Sequence, residues 1–328
     1  MKIPCTLAAL ALIATPAGAD DSSAALGAGG LVLTKQADIR MAVEDLRISP
    51  KEVKVRYQFV NDGGSDVDTI VAFPLPDIDV RAFYFEPLGT TTDSTPNFMG
   101  FALTVDGRKV TAIPEERAIK NGRDGTADIK AAGLPVNIVG GELVKKLEAL
   151  PQAQRKALAA KGLLEMDGDD VHPFWIAQTK FWWKQHFPAG KTVTIEHRYQ
   201  PVTGQTFFGS YSLQGEQDAN YTKNFCIDGP TRATLKAKIA AITAKHPESG
   251  DYMLQYTTEF VLRTANNWKG PIGRFHLTLD KLKPDSVLSL CWAGDLKKTG
   301  ATTFEATREN FAPSGDIKLL VLETPSAQ

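Results

Sequence analysis

The chain has 328 residues, 43% of them hydrophobic and 23% charged, with 37 basic residues against 38 acidic ones and a formal net charge of −1. That length allows two domains of ordinary size or one large sandwich with insertions. A near-neutral balance with both signs scattered along the chain excludes a basic face that tracks nucleic-acid phosphates, so no nucleic-acid partner is expected.

The amino terminus reads as an export leader. Lys2 supplies a positive start, Leu7 to Ala14 form a short apolar stretch, and Ala17-Gly18-Ala19 has the small-residue pattern that signal peptidase cuts. Ala19 and Asp20 therefore flank the expected cleavage, and residues 1–19 are set apart as a signal peptide. The stretch falls well short of the ~20 apolar residues of a membrane helix, and no later segment reaches that length without charges, so the mature chain should lack a span. An uncleaved anchor is the alternative; a lipoprotein is disfavoured because Cys5 precedes the apolar stretch. Loss of Lys2 takes the net charge to −2. Of the 3 cysteines, only Cys226 and Cys291 then remain. In an oxidising compartment this pair is expected to form a disulfide, with two separate buried thiols as the rival reading.

In chain order, Val53, Val55, Tyr57 and Phe59 alternate with Lys54, Arg56 and Gln58, the pattern of a half-buried antiparallel strand. Asn61-Asp62-Gly63-Gly64 turns the chain into Thr69 to Phe73, which is apolar on both parities and ends at Pro74 and Pro76. Arg81 to Phe85 reads as a further strand. Phe101, Leu103 and Val105 lead through Asp106-Gly107, a type I′ hairpin signal, into Lys109 to Ile113. From about Thr126 to Gly162 the pattern becomes helical: Leu143, Val144, Leu147 and Leu150 share a face, Glu142 and Lys146 pair on the other, and Pro151 opens a second helix. This amphipathic pair is expected to pack on the sheets, with a membrane-surface role as the alternative.

Strands resume at Trp175 to Phe187, and Pro188-Ala189-Gly190-Lys191 feeds Val193, Ile195, His197 and Tyr199 as an expected second hairpin. After Phe207 to Leu213 a polar stretch precedes Cys226, and Arg232 to Ile242 is a helix. The remainder is β: Tyr252 to Leu262, Phe275 to Leu279, Val287 to Cys291, Thr303 to Thr307 and Ile317 to Leu322. The expected fold is mainly β, with two β-sandwich-like parts, a helical insertion near 126–164 and one further helix. The parts are placed at 20–212 and 213–328, with the seam between Gln200 and Asn224.

Several of these segments resemble a known set. Ala25 to Lys35 (ALGAGGLVLTK), Asp45 to Pro50 (DLRISP), Val55 to Phe59 (VRYQF) and Ala72 to Asp77 (AFPLPD) are similar to the bacterial domain-of-unknown-function family 4424. Phe187 to Lys191 with Glu196 to Tyr199, and Asn267 to Gly273 with Ser289-Leu290-Cys291, extend the likeness over nearly all of the mature chain. The resemblance implies a secreted or periplasmic protein and supplies no activity or catalytic residue. The strand, Asn turn and Phe-Pro-Leu-Pro ending, followed by Val105 to Arg108 and Glu115 to Ala118, also resemble the vault and inter-α-trypsin type β-sandwich domain, whose members mediate protein contacts.

No constellation carries catalysis. Gly27-Ala28-Gly29-Gly30 fails the dinucleotide fingerprint because its third glycine would fall at Val32; a glycine-rich approach to the first strand is expected instead. No GxxxxGK(S/T), HExxH or GxSxG occurs. Asp167, Asp169 and Asp170 around Gly168, with Glu165 and His172 nearby, lack EF-hand spacing and read as a solvated acidic turn, with a cation site as the alternative. His172, His186 and His197 are too dispersed to imply zinc. Glu196 and His197 are neighbours on a strand and point to opposite sides, so they cannot act as one acid–base pair.

The candidate ligand surface is the aromatic strand: Trp175, Phe181, Trp183 and Phe187 share the core parity, while Trp182 shares the other with Lys180, Lys184 and His186. If that face is wet, Trp182, Lys184 and His186 could engage a sugar or a partner side chain; if the inserted helices cover both faces, they could not. The expected function is a non-enzymatic extracytoplasmic module that binds another envelope protein or glycan, with no cofactor or metal. A hydrolase or transferase acting on an envelope polymer is the alternative.

Overall fold

The computed structural model describes residues 21–27, 30–85, 88–89, 97–138, 141–168, 170–245 and 251–325. The expected leader and the cleavage point at Ala19 and Asp20 lie outside the described residues. The chain is mainly β, and the strand Val53–Asn61 shows why. Its even pattern buries Val53, Val55, Tyr57 and Phe59 against the core and turns Lys54, Arg56 and Gln58 outward. It belongs to an eight-stranded sheet in the order Lys297–Lys298, Thr303–Phe311, Ile272–Asp280, Ile39–Ile48, Val53–Asn61, Thr192–Tyr199, Ala102–Val105, Arg108–Val110. A seven-stranded sheet faces it, centred on the antiparallel pair Val67–Pro74 and Ile176–Phe187.

Aromatic side chains from both sheets fill the space between them. Phe101 stacks on Phe181 at 4.5 Å, Phe59 meets Phe187 at 5.9 Å and Trp268 at 4.6 Å, and Phe73 packs on Phe101 at 5.4 Å. Trp175, Phe181, Trp183 and Phe187 are all buried, as their parity requires.

The expected hairpin between Ile176–Phe187 and Thr192–Tyr199 does not form. The two strands lie in different sheets, so Pro188 to Lys191 carries the chain across the sandwich. Residues 61–67 cross at the same end, between Val53–Asn61 and Val67–Pro74. Asn61 ties the two crossings together: its buried side-chain amide donates to Phe187 O (2.8 Å) and Ser65 O (2.9 Å), and its own carbonyl accepts from Gly190 N (2.9 Å). By contrast Asp106 and Gly107, at φ +46° and +75°, make the type I′ hairpin that their sequence announces.

Two further expectations are corrected. Val80–Phe85 is a short helix, not a strand, because the Asp79 carboxylate accepts from the Arg81 and Ala82 amides and starts a turn. Gly27 and Gly30 close a hairpin between Ser22–Gly27 and Gly30–Leu33; Ala28 and Gly29 lie outside the described residues.

The helical insertion comprises Thr126–Ala131, Glu142–Ala149 and Gln152–Ala160. Leu143, Leu147, Leu150 and Leu158 are buried in the main core, so the apolar face is occupied by packing and not left for a membrane. Two helices follow later, Gly215–Phe225 and Gly229–Lys245. The first occupies the polar stretch in which no helix was expected. No residue of it is fully buried, but Tyr221 and Phe225 pack partway into a second core and Tyr221 donates to Gln255 (2.6 Å).

That second core lies under a five-stranded sheet whose strand Ile317–Glu323 is buried on both faces: Leu319 and Val321 join the main core, Leu320 and Leu322 the helices. Ile272–Asp280 runs parallel to Ile39–Ile48, so the large sheet draws strands from both sides of the expected boundary at 212. A β-bulge after Met41 pushes Ala42 toward that partner strand. A Cβ on Gly273 would stand 2.6 Å from Ala42 O, which explains a glycine there.

Cys226 and Cys291 are joined across 65 residues, pinning the end of the Gly215–Phe225 helix. Replacing both by serine should lower unfolding free energy by ~4 kcal/mol on the chain-entropy account, read as a shifted denaturant midpoint; an unchanged midpoint would deny the bridge its structural role. Asn61→Ala should cost ~1–3 kcal/mol in the same assay, because buried carbonyls at the crossing lose their donor.

Candidate functional site

The polar parity of the eight-stranded sheet faces away from the core and forms a groove of about 430 Å³. Its lining arises from register. Across one row, Arg47 lies opposite Lys54 and Lys54 opposite Arg198, on three consecutive strands. Two residues along, His276 lies beside Asp45, Asp45 opposite Arg56, Arg56 opposite Glu196, and Glu196 opposite Thr104.

The second row is held laterally. Arg56 lies 3.6 Å from Asp45 and 3.5 Å from Glu196; Thr104 donates to Glu196 at 3.3 Å; Arg274 reaches Asp45 at 3.0 Å. Exposed pairs of this kind contribute only ~0–1 kcal/mol, so their consequence is orientation more than stability. In the first row Arg47 meets Asp280 (2.6 Å) and Lys54 meets Glu52 (2.9 Å), both from outside the row.

Beneath this face the same strand turns His197 inward. The imidazole is enclosed by Phe73 (4.9 Å), Phe101 (5.0 Å), Trp183 (5.4 Å) and Tyr57 (5.6 Å), and its Nε2 lies 3.5 Å from Oδ1 of the buried Asp21. Burial pushes its pKa down to about 3, so the ring is neutral. Glu196 and His197 do point to opposite sides, one into the groove and one into the core.

The aromatic strand is covered differently from either expectation. The strands Ser22–Gly27 and Gly30–Leu33, which extend the seven-stranded sheet from Val67–Pro74, and not the helices, pack over its outer face at Trp182. Lys180, buried, donates to Leu31 O (3.0 Å), and the carboxylate of Glu115, directly opposite it, accepts from Leu31 N (3.1 Å). Burial lowers the Lys180 pKa, against the opposing pull of Glu115. Trp182 is half-buried there with Ala24, Leu31 and Ala72. Lys184 and His186 stay exposed in an adjoining shallow recess with Ala24, Thr69 and Ile70, where His186 Nδ1 lies 2.9 Å from Asp68. Of the three, Lys184 and His186 are exposed, whereas Trp182 is packed against Ala24 and Leu31.

The acidic segment is a hairpin, Leu164–Asp167 with Asp170–Pro173, in which Glu165 pairs with Arg81 (2.6 Å) and His172 packs on Tyr84 (5.3 Å); Asp169 lies outside the described residues. Among the described residues no three His, Cys, Asp or Glu side chains stand close enough to hold a metal ion. No helix among them is long and apolar enough to cross a membrane.

Sequence reasoning missed Arg47, Asp45, Arg198 and His276 as members of one site. Their outward parity was visible; their adjacency depends on pairings between strands far apart in the chain, such as Ile39–Ile48 with Ile272–Asp280.

Fold and face together define a β-sandwich protein with an exposed, charged groove across its largest sheet. The chain belongs to the family described as a domain of unknown function, DUF4424, which matches residues 19–320. No functionally curated protein matches it in sequence. Among solved structures it is similar to a candidate nutrient-binding protein of Legionella pneumophila, with 16% identity, a TM-score of 0.47 and coverage of 93% of this chain and 70% of the other. It is more distantly similar to an M1 zinc metallopeptidase of Deinococcus radiodurans, at 8% identity and a TM-score of 0.26, covering 88% of this chain but only 43% of that one.

The neutral His197 gives a pH prediction. The unfolded chain takes a proton near pH 6.5 and the folded chain only near 3, so this contribution to stability is complete above 6.5 and is lost as pH falls toward 3, at up to ~1.4 kcal/mol per unit. His197→Leu should flatten the fall in denaturant midpoint between those limits relative to wild type; parallel curves would contradict a buried neutral ring.

Proposed function

We propose that this chain is an exported, non-enzymatic binding module that engages another component of the cell envelope through the outer face of its eight-stranded sheet. The observation that carries the reading is the groove itself. Its polar side chains project from strands, not loops, and are held in place by lateral ion pairs and by the packed core behind them. The Cys226–Cys291 bridge supports maturation in an oxidising compartment, as does the leader-like amino terminus.

The arrangement suits binding better than hydrolysis. A carboxylate pair in a hydrolase must include one group free to give or take a proton, whereas Asp45 and Glu196 are both drawn to Arg56 on an open surface. The Lys184 and His186 recess is a smaller contribution to the same reading, since it offers exposed polar groups without the aromatic platform once Trp182 is packed away.

The test is occlusion. Thr104 and Thr278 line the groove without bearing on the core. The double variant Thr104→Trp, Thr278→Trp should fold normally and lose co-sedimentation with a bacterial envelope fraction that wild type shows. Undiminished co-sedimentation, or turnover of envelope polymer by purified wild type, would overturn the proposal.

A further inference from the structure

The two rows of the groove differ in a way that stability does not ask for. Like charges set directly opposite one another on neighbouring strands destabilise a sheet, yet Arg47, Lys54 and Arg198 occupy three successive opposed positions. Neighbouring strands lie about 4.8 Å apart, so the three positions span about 10 Å of rigid surface. Arg47 and Lys54 are each offset by a carboxylate at the edge of the row, while Arg198 has no ion-pair partner among the described residues. Such a row favours an anionic group set above it.

The neighbouring row is mixed in charge, with Arg56 between Asp45 and Glu196 and Arg274 reaching Asp45 from beside it. Asp45 and Glu196 flank Arg56 and present acceptor oxygens to the same groove, with the Thr104 hydroxyl beside them. A bare polyanion lying across both rows would meet unopposed cations in the first row only, since Arg56 and Arg274 are already paired with these carboxylates. A neutral sugar would satisfy the carboxylates through its hydroxyls but leave the cations unanswered. A sugar bearing an acid group answers both rows at once, and the groove volume of about 430 Å³ lies within the range of about 300–1,000 Å³ usual for small-ligand sites.

We infer that the groove binds an acidic saccharide, with the acid group on Arg47, Lys54 and Arg198 and the sugar hydroxyls donating to Asp45 and Glu196. The inference rests on the reading of this face as the binding surface and adds to it the chemistry of the ligand. Arg198 is the position at which charge matters most, because no carboxylate among the described residues is paired with it.

Three probes separate the possibilities by calorimetric titration of the full mature chain: trigalacturonic acid, which carries carboxylates and hydroxyls; maltotriose, which carries hydroxyls alone; and tripolyphosphate, which carries charge alone. Trigalacturonic acid should bind, and Arg198→Glu should weaken it by about tenfold or more, with Arg198→Lys retaining most of the affinity and added salt reducing it. Both variants alter an exposed side chain, and an unchanged melting curve establishes that they fold. Maltotriose and tripolyphosphate should each bind more weakly than trigalacturonic acid by about tenfold, the loss expected when one set of charged hydrogen bonds goes unmade. Equal binding of tripolyphosphate, equal binding of maltotriose, no binding of trigalacturonic acid, or indifference to Arg198→Glu would each overturn the acidic-saccharide assignment. The tryptophan occlusion of envelope binding does not depend on ligand charge, so its outcome judges the surface separately from the ligand.

Discussion

The structure depends on a crossing. At one end of the sandwich two segments cross between the eight-stranded and the seven-stranded sheet, residues 61–67 in one direction and Pro188 to Lys191 in the other, and Asn61 hydrogen-bonds both at once. Because Val53–Asn61 pairs with Thr192–Tyr199 on one side and Val67–Pro74 pairs with Ile176–Phe187 on the other, this junction sets both registers together. A slip of one residue in the first pair would turn core residues such as Tyr57 and Phe59, or Ile195, to solvent and bring Arg56 or Glu196 into the core. The junction thus fixes which side chains meet on the outer face.

From that constraint the groove follows as the reverse side of the core. The parity that buries Val55, Tyr57, His197 and Tyr199 is the parity that exposes Lys54, Arg56, Glu196 and Arg198. Aromatic packing around His197 makes the inner side unyielding, since rings in contact at about 5 Å on every side leave little room for the strand to shift. Rigidity behind the face matters for binding because a preorganised surface loses little conformational freedom when a ligand arrives. The strands Ser22–Gly27 and Gly30–Leu33 do comparable work on the other sheet, where Lys180 and Glu115 clamp the two backbone groups of Leu31 and Leu31 packs with Trp182.

Much of the fold was legible from local pattern. The alternation in Val53–Asn61, the Asp106-Gly107 turn and the i,i+4 pair of Glu142 and Lys146 all encode their structures within a few residues, and each is found as read. What failed was adjacency. Nothing local tells Pro188 to Lys191 to cross between sheets instead of closing a hairpin; that choice is made by Asn61, more than a hundred residues earlier in the chain. Val80–Phe85 misled because its apolar run suits a strand, while Asp79 caps it as a helix. The charged groove was invisible for the same reason as the crossing: Arg47 and Lys54 face each other across neighbouring strands, but Arg198 joins their row only when a strand far later in the chain pairs with Val53–Asn61.

The central claim is that the outer face of the eight-stranded sheet is where this protein meets its partner. Hydroxyl-radical footprinting of the mature chain, free and bound to an envelope fraction, reads that contact directly. Protection should concentrate on Lys54, Arg56, Arg198 and His276. Protection confined to the Lys184 and His186 recess or to the exposed Phe207 and Tyr211, with the groove as reactive as in the free protein, would contradict the account.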